Sequence, residues 1–157
     1  MGLVRFIAKV FPQSLKRVFR FPPDQGKEDE NREHSLGRKG EELAARFLKR
    51  NRYKIIYRNF RPKRGGEIDI VCRDKVCNEL VFVEVKTRSG EDYGHPAEAV
   101  NREKQRRISL GAIAWLKMLD NPEVIYRFDI VEVIAGTQRM ECRLLRNAFQ
   151  LTEPYKF

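Results

Sequence analysis

Hydrophobic and polar positions along the chain follow two rhythms in separate stretches. From about Leu36 to Asn51, Leu36, Leu43, Phe47 and Leu48 line one stripe, and Arg38, Lys39, Lys49 and Arg50 fill the remainder. That spacing predicts an amphipathic helix, with Ser35 placed to cap it. Lys54–Phe60, Glu67–Arg73 and Leu80–Arg88 are then rich in β-branched and aromatic residues and read as strands. Gly65-Gly66 separates the first two, and Asp74–Glu79 turns between the second and third. After a loop at Gly90–Pro96, Ile108, Ala112, Trp115 and Leu119 repeat at helical spacing. This second helix runs from Pro96 or Asn101 to about Leu119 and is stopped by Asn121-Pro122. Ile125–Ile134 and Met140–Leu145 read as a terminal pair of strands. The order α-β-β-β-α-β-β predicts an α/β (α+β) domain, a mixed sheet of about five strands flanked by helices.

The first 34 residues stand apart. Residues 1–20 carry Arg5, Lys9, Lys16, Arg17 and Arg20 and no acid, and Pro12 ends any helix built on Leu3, Ile7, Val10 and Phe11. They read as a poorly ordered extension or as an arm touching nucleic acid or a membrane surface. The acid-rich stretch to His34 lacks the apolar content to order itself. The expected organisation is therefore 1–34, extension and linker, and 35–157, one folded domain.

Composition narrows the class. With 157 residues, 41% hydrophobic and 34% charged, the chain suits a single soluble core without staples. Cys72, Cys77 and Cys142 cannot all pair within one chain, and no Cys-His cluster accompanies them. Free thiols point to a reducing, cytoplasmic setting, and zinc is not expected. No apolar run reaches membrane-spanning length, and Arg5 and Lys9 break the signal-peptide pattern. A formal charge of +10 and a pI near 9.8 favour a polyanionic partner over a small-molecule substrate.

Acids inside the strand runs carry the chemistry. Asp69 sits in Gly66-Glu-Ile-Asp-Ile70, and Glu84 and Lys86 sit in Val81-Phe-Val-Glu-Val-Lys86. Alternation puts Glu67, Asp69 and Val71 on one face, and Leu80, Phe82, Glu84 and Lys86 on one face of the next strand. A hairpin turning between Val76 and Cys77 sets Asp69 opposite Glu84, roughly 5.5 Å apart at Cβ. The same register sets Glu67 opposite Lys86. Two carboxylates so close repel unless a cation lies between them. Oxygen-only ligation suits Mg²⁺ or Mn²⁺, and Lys86 stands where its ammonium helps orient or activate an attacking water. The plain alternative for Glu84 and Lys86 is a surface ion pair, which Leu80 and Phe82 on that face oppose. His34 and His95 read as solvated residues.

Together these elements resemble the PD-(D/E)xK, restriction-endonuclease-like superfamily. They are closer still to the YraN-like family of predicted nucleases related to archaeal Holliday-junction resolvases. The matching elements are Gly37-x-x-Gly40-Glu41, Asn59-x-Arg61, Gly66-Glu-Ile-Asp-Ile70, Leu80-Val-Phe-Val-Glu-Val-Lys-Thr-Arg88, Tyr93-Gly-x-Pro-x-Glu-Ala-Val100, Lys104-x-x-Arg107, Arg127-Phe-Asp-Ile-Val131 and Asn147-Ala-Phe149. The resemblance covers about residues 36–149. It implies a restriction-endonuclease-like fold in which Asp69 and Glu84 are metal ligands, Lys86 is the catalytic lysine and Glu41 completes the site through a water. It also allows a homodimer. The loop between Arg61 and Gly66 and the turn at 74–79 are longer than the family pattern.

Arg61, Lys63 and Arg64 lead into the site and, with Lys104 and Arg107, are the expected phosphate contacts; Arg102, Lys104, Arg106 and Arg107 read equally as the solvated face of the second helix. No aromatic ladder or base-reading motif accompanies them, so selectivity for structure is expected over sequence. The leading expectation is a Mg²⁺-dependent endonuclease acting on DNA. A non-catalytic nucleic-acid-binding module on the same scaffold is the alternative. An adaptor working through residues 1–20 is a third.

Overall fold

A computed structural model describes residues 32–63, 65–89, 100–120, 123–136 and 139–151. The expectations for residues 1–31, Arg64 and His95 lie outside them. Two helices and five strands follow the expected order: α1 (Arg32–Arg50), β1 (Tyr53–Phe60), β2 (Ile68–Asp74), β3 (Leu80–Ser89), α2 (Arg102–Met118), β4 (Tyr126–Ala135) and β5 (Met140–Phe149). Helix α1 begins at Arg32, so Ser35 lies within the helix and does not cap it. Strand β5 runs to Phe149, past the expected end at Leu145. Among the described residues no helix is long and apolar enough to cross a membrane.

The strands form one sheet in the order β1-β2-β3-β4-β5. Neighbours are antiparallel except β3 and β4, which run parallel across the α2 crossover. On one side α1 packs Ala44, Ala45 and Leu48 against Ile70, Cys72, Val81, Val83, Val131 and Val133. On the other, α2 packs Ile108, Ala112 and Trp115 against Ile68, Val71, Phe82, Phe128 and Ile130. The alternation expected of β3 is borne out: Leu80 and Phe82 meet α2, and Val81, Val83 and Val85 meet α1.

Leu43, Phe47 and Leu48 of the expected stripe join the α1-side core, and Ala44 and Ala45 add to it. A Cβ at Gly40 would fall 1.9 Å from Thr87 Oγ1, so only glycine lets α1 lie this close to β3. On the opposite side Gly66 adopts a φ of 92°, and a Cβ there would meet the Gly111 nitrogen of α2 at 2.5 Å. Glycine is required at Gly66 for conformation and for space. Both close approaches flank the strand ends that carry Asp69 and Glu84.

The far end of the sheet is closed by an ion network built on the buried Asp74 and Asp129. Arg127 reaches Asp74 at 2.9 Å, Asp129 at 2.9 Å and the Tyr53 hydroxyl at 3.0 Å, and it also pairs with Glu79. Arg146 of β5 pairs with Asp74 and donates to the Tyr53 hydroxyl at 3.1 Å. Strands β1 and β5 would lie about 19 Å apart in a flat sheet of this order. Their contact shows that the sheet coils around α1. Asp74 is fully buried. Burial opposes its charge, but the Val76 amide and the Arg127 and Arg146 guanidiniums outweigh that and hold it down at about 2.

Asp74→Ala leaves two guanidiniums without their shared acceptor, and a loss of about 3–5 kcal/mol in denaturant unfolding is expected. Because the folded-state value of Asp74 lies below its ordinary 3.8, its stabilisation is complete above that pH and is lost as pH falls toward about 2. Acid titration of unfolding should show this slope in the wild type and lack it in Asp74→Ala.

Candidate functional site

The β2–β3 register pairs Ile70 with Val83, Val71 with Phe82, Cys72 with Val81 and Arg73 with Leu80. This is the register expected from the sequence, and its next step sets Asp69 against Glu84. The backbone ladder stops one step short of that pair. Instead the Val85 amide donates to Asp69 Oδ2 at 2.8 Å. The Asp69 carboxylate is thereby fixed at the strand end beside Glu84.

Strict alternation fails at this point. Ile68 joins Val71 in the α2-side core although it was expected on the other face. Its β1 partner Phe60 does the same, next to Asn59, which adopts a φ of 53°. A residue in the left-handed region within a strand breaks the pleat, and Asn tolerates it better than most side chains. Both strands switch faces here, so Asp69 lies where charges from both sides of the sheet are felt.

Glu84 is 95% buried, with relative exposure of 5%. Its Oε1 accepts from Lys104 Nζ at 3.0 Å, and its Oε2 is buried without a hydrogen-bond partner. Burial first, and then the Asp69 charge, push the Glu84 carboxyl up to about 8, against the pull of Lys104. Across the sheet Glu41 of α1 is half-buried, and its carboxyl is raised by burial and by Asp69. A hydrogen bond from Asn59 and the charges of Arg58 and Arg61 oppose that rise. Asp69 thus acts on both Glu41 and Glu84.

The expected Glu67–Lys86 pair does not form. Glu67 binds Lys104 Nζ at 2.5 Å and Arg107 Nη2 at 2.9 Å, and its own amide donates to the Arg107 carbonyl at 3.2 Å. Burial raises Glu67, but these cations and Arg61 outweigh it and hold the carboxyl below its usual range. Lys104 was expected on phosphates; its ammonium bridges two site acids, Glu67 and Glu84. Asn101 caps α2 by accepting the Lys104 amide at 2.9 Å, which fixes the backbone that presents it. Lys86 is exposed and lines an open cleft of about 350 Å³ with Glu84, Asn101, Glu103, Lys104 and Arg107. Lys86 has no acid partner among the described residues. Arg61 and Lys63 are exposed, and Arg61 is close enough to act on Glu41 and Glu67.

Among the described residues, no group of three His, Cys, Asp or Glu side chains is gathered as a ready metal shell. Asp69 and Glu84 nevertheless suit a hard divalent cation. Both ligands are oxygen, the Asp69 charge disfavours ionised Glu84, and no N–H donor faces Glu84 Oε2, so a proton or a cation must stand between the two carboxyls. Glu41 stands farther off, within electrostatic reach of Asp69. Sequence reasoning gave no role to Asn59, whose side chain lowers the Glu41 carboxyl against burial and the Asp69 charge and whose backbone adopts a φ of 53°.

The fold and site define an α+β protein with paired strand carboxylates and a free lysine at the mouth of a cleft. A family model described as "Uncharacterised protein family UPF0102" matches residues 40–133, a span that holds every one of these groups. A UPF0102 protein of Geobacter metallireducens is 49% identical over 117 residues, 74% of this chain and 93% of the relative. One of Symbiobacterium thermophilum is 49% identical over 115 residues, 73% and 95% of the two chains. One of Geobacter sulfurreducens is 50% identical over 117 residues, 74% and 89%. The chain belongs to the UPF0102 family.

The raised Glu84 carboxyl makes a stability prediction for the metal-free protein. The unfolded chain releases this proton near 4.5 and the folded chain keeps it to about 8, so stability should fall as pH rises between those values. Glu84→Gln keeps an acceptor for Lys104 and gives Asp69 a donor. It should flatten that slope and raise Tm at pH 8 by roughly 5 °C or more, read by thermal melts in EDTA.

Proposed function

We propose that this protein is a metal-dependent endonuclease acting on DNA, selective for structure and not for sequence. The observation that carries the reading is the buried, unpartnered Glu84 Oε2 beside Asp69, opening on a cleft whose rim holds the free ammonium of Lys86. The resemblance to resolvase-like nucleases rests on these same residues. A strand face buries such a pair at a cost, and the cost is useful where a divalent cation and a phosphate must meet.

Asp69 and Glu84 would hold Mg²⁺ or Mn²⁺, which when bound supplies Lewis-acid stabilisation of charge on a phosphodiester. The remaining work belongs to the chain. The Val85 amide holds Asp69 in place, and Lys104 holds Glu84 by its other oxygen. Lys86 directs its ammonium at phosphoryl oxygens and orients the attacking water. Glu41, steadied by Asn59, accepts a hydrogen bond from water entering from the α1 side. Arg61, Lys63 and Arg107 line the approach and draw in the polyanion.

A second reading has one observation in its favour. The lack of a gathered set of three acids among the described residues suits a binding module that keeps the scaffold without turnover.

Incubation with branched and single-stranded DNA plus Mg²⁺ or Mn²⁺ separates the two. Cleavage is expected, with Asp69→Asn, Glu84→Gln and Lys86→Met each lowering it by at least ~100-fold. Unchanged cleavage in Asp69→Asn or Glu84→Gln removes the hydrolytic assignment. Salt-sensitive binding by the wild type with no cleavage under either ion selects the binding module.

A further inference from the structure

Away from the cleft, the outer end of the β1–β2 pair carries a block of cations that nothing offsets. Lys54 and Arg73 are direct cross-strand partners. The Lys75 amide donates to the Arg52 carbonyl at 3.1 Å, which brings those two residues together one step beyond the Tyr53–Asp74 pair. Tyr53 and Asp74 turn to the α1 side, where they meet Arg127. Alternation therefore turns Lys54 and Arg73 to the opposite face, the face of Val71. Arg52, Lys54 and Lys75 are exposed, and Arg73 is half-buried.

None of the four has an acid partner among the described residues, although the half-buried Arg58 and the exposed Arg139 do. Arg73 Nε is buried and unpartnered. Like charges set directly opposite across two strands are destabilising. The sequence nevertheless places Lys54 and Arg73 opposite each other on β1 and β2, with Arg52 and Lys75 just beyond the strand ends, and the one acid between them, Asp74, turns to the other face. An anionic ligand relieves both the repulsion and the unfilled donor. A single small anion meets at most two of four side chains spread along two strands. A polyanion with regularly spaced charges meets them all.

We propose that Arg52, Lys54, Arg73 and Lys75 form a second contact for the phosphate backbone of the nucleic acid that enters the cleft. The inference rests on the nucleic-acid reading given above and adds where the substrate extends. Arg73 lies four residues along β2 from Asp69, or roughly 13 Å at strand rise. That is about four phosphates along one strand of a duplex. The block therefore holds a flank of the substrate while the scissile bond lies at the acids.

The test is binding of a 30-base-pair DNA duplex in EDTA, read by fluorescence anisotropy across 50–200 mM NaCl. The block variant carries Arg52→Gln, Lys54→Gln, Arg73→Gln and Lys75→Gln. A control of equal charge carries Arg38→Gln, Lys39→Gln, Lys117→Gln and Arg143→Gln at scattered exposed positions. The block variant should bind roughly 10- to 100-fold more weakly at 100 mM NaCl, with a log–log salt slope about 2–3.5 smaller. The control should lose much less. The Tm of the block variant should equal or exceed that of the wild type, since repulsion is removed. Equal losses in the two variants, or an unchanged slope in the block variant, overturn the assignment and leave the cleft reading standing. Absence of any salt-sensitive DNA binding by the wild type overturns both.

Discussion

Glu84 is the position on which the arrangement turns. It lies in a strand flanked on both sides by other strands, in a run where Phe82, Val83 and Val85 are packed. Ionising it beside Asp69 is unfavourable, and the chain supplies one internal cation against it, Lys104. Lys104 is in place only because α2 docks closely on the Gly66–Ile68 segment, where Gly66 and Gly111 let the two backbones touch. Core packing on the α2 side and electrostatics at the cleft are thus one constraint. A larger residue at Gly66 would move the ammonium as well as the helix.

Much of this frame was legible in the chain because alternation in β3 is unbroken from Leu80 to Lys86. Its register with β2 follows from the turn between Val76 and Cys77, which sets Asp69 against Glu84. What escaped was set by contacts distant in sequence or by local exceptions to the pleat. Asn59 adopts a left-handed conformation that composition does not announce, and it carries Phe60 and Ile68 to the other face. Lys104 reads as a phosphate contact on a basic helix, and only the fold shows Glu67, 37 residues earlier, beside it. The start of α1 was misplaced because Ser35 satisfies a capping pattern locally while the helix continues upstream of it.

The two ends of the sheet treat buried charge in opposite ways. At the closed end, Asp74, Asp129 and Glu79 meet Arg127 and Arg146, with Tyr53 and the Asn147 amide filling further positions. That network satisfies its members and joins strands that the sheet order keeps apart. Such a network specifies a fold, and removing one member strands the others. At the open end the count is different. Lys104 meets one oxygen of Glu84, while the other, together with the adjacent Asp69 charge, lacks a counterpart.

The contrast separates structural from functional polarity within one small domain. Both clusters draw on β2 and hold buried acids, Asp74 and Asp129 at one end and Glu84 at the other, so burial alone does not distinguish them. Satisfaction does. A chain that builds a complete five-residue ion network at one end is capable of completing the other, for example with a neutral side chain at residue 84 facing Lys104. Glu84 Oε2 faces no N–H donor beside a second carboxylate, at the wall of a cleft open to solvent; the metal-free protein meets this by keeping the Glu84 proton, and a divalent cation is the alternative that the proposed function assigns. The exposed ammonium of Lys86 at the same opening supplies the complementary demand for an anion. A bound cation and a phosphate together answer both, which neither a purely structural ion pair nor a simple basic surface does.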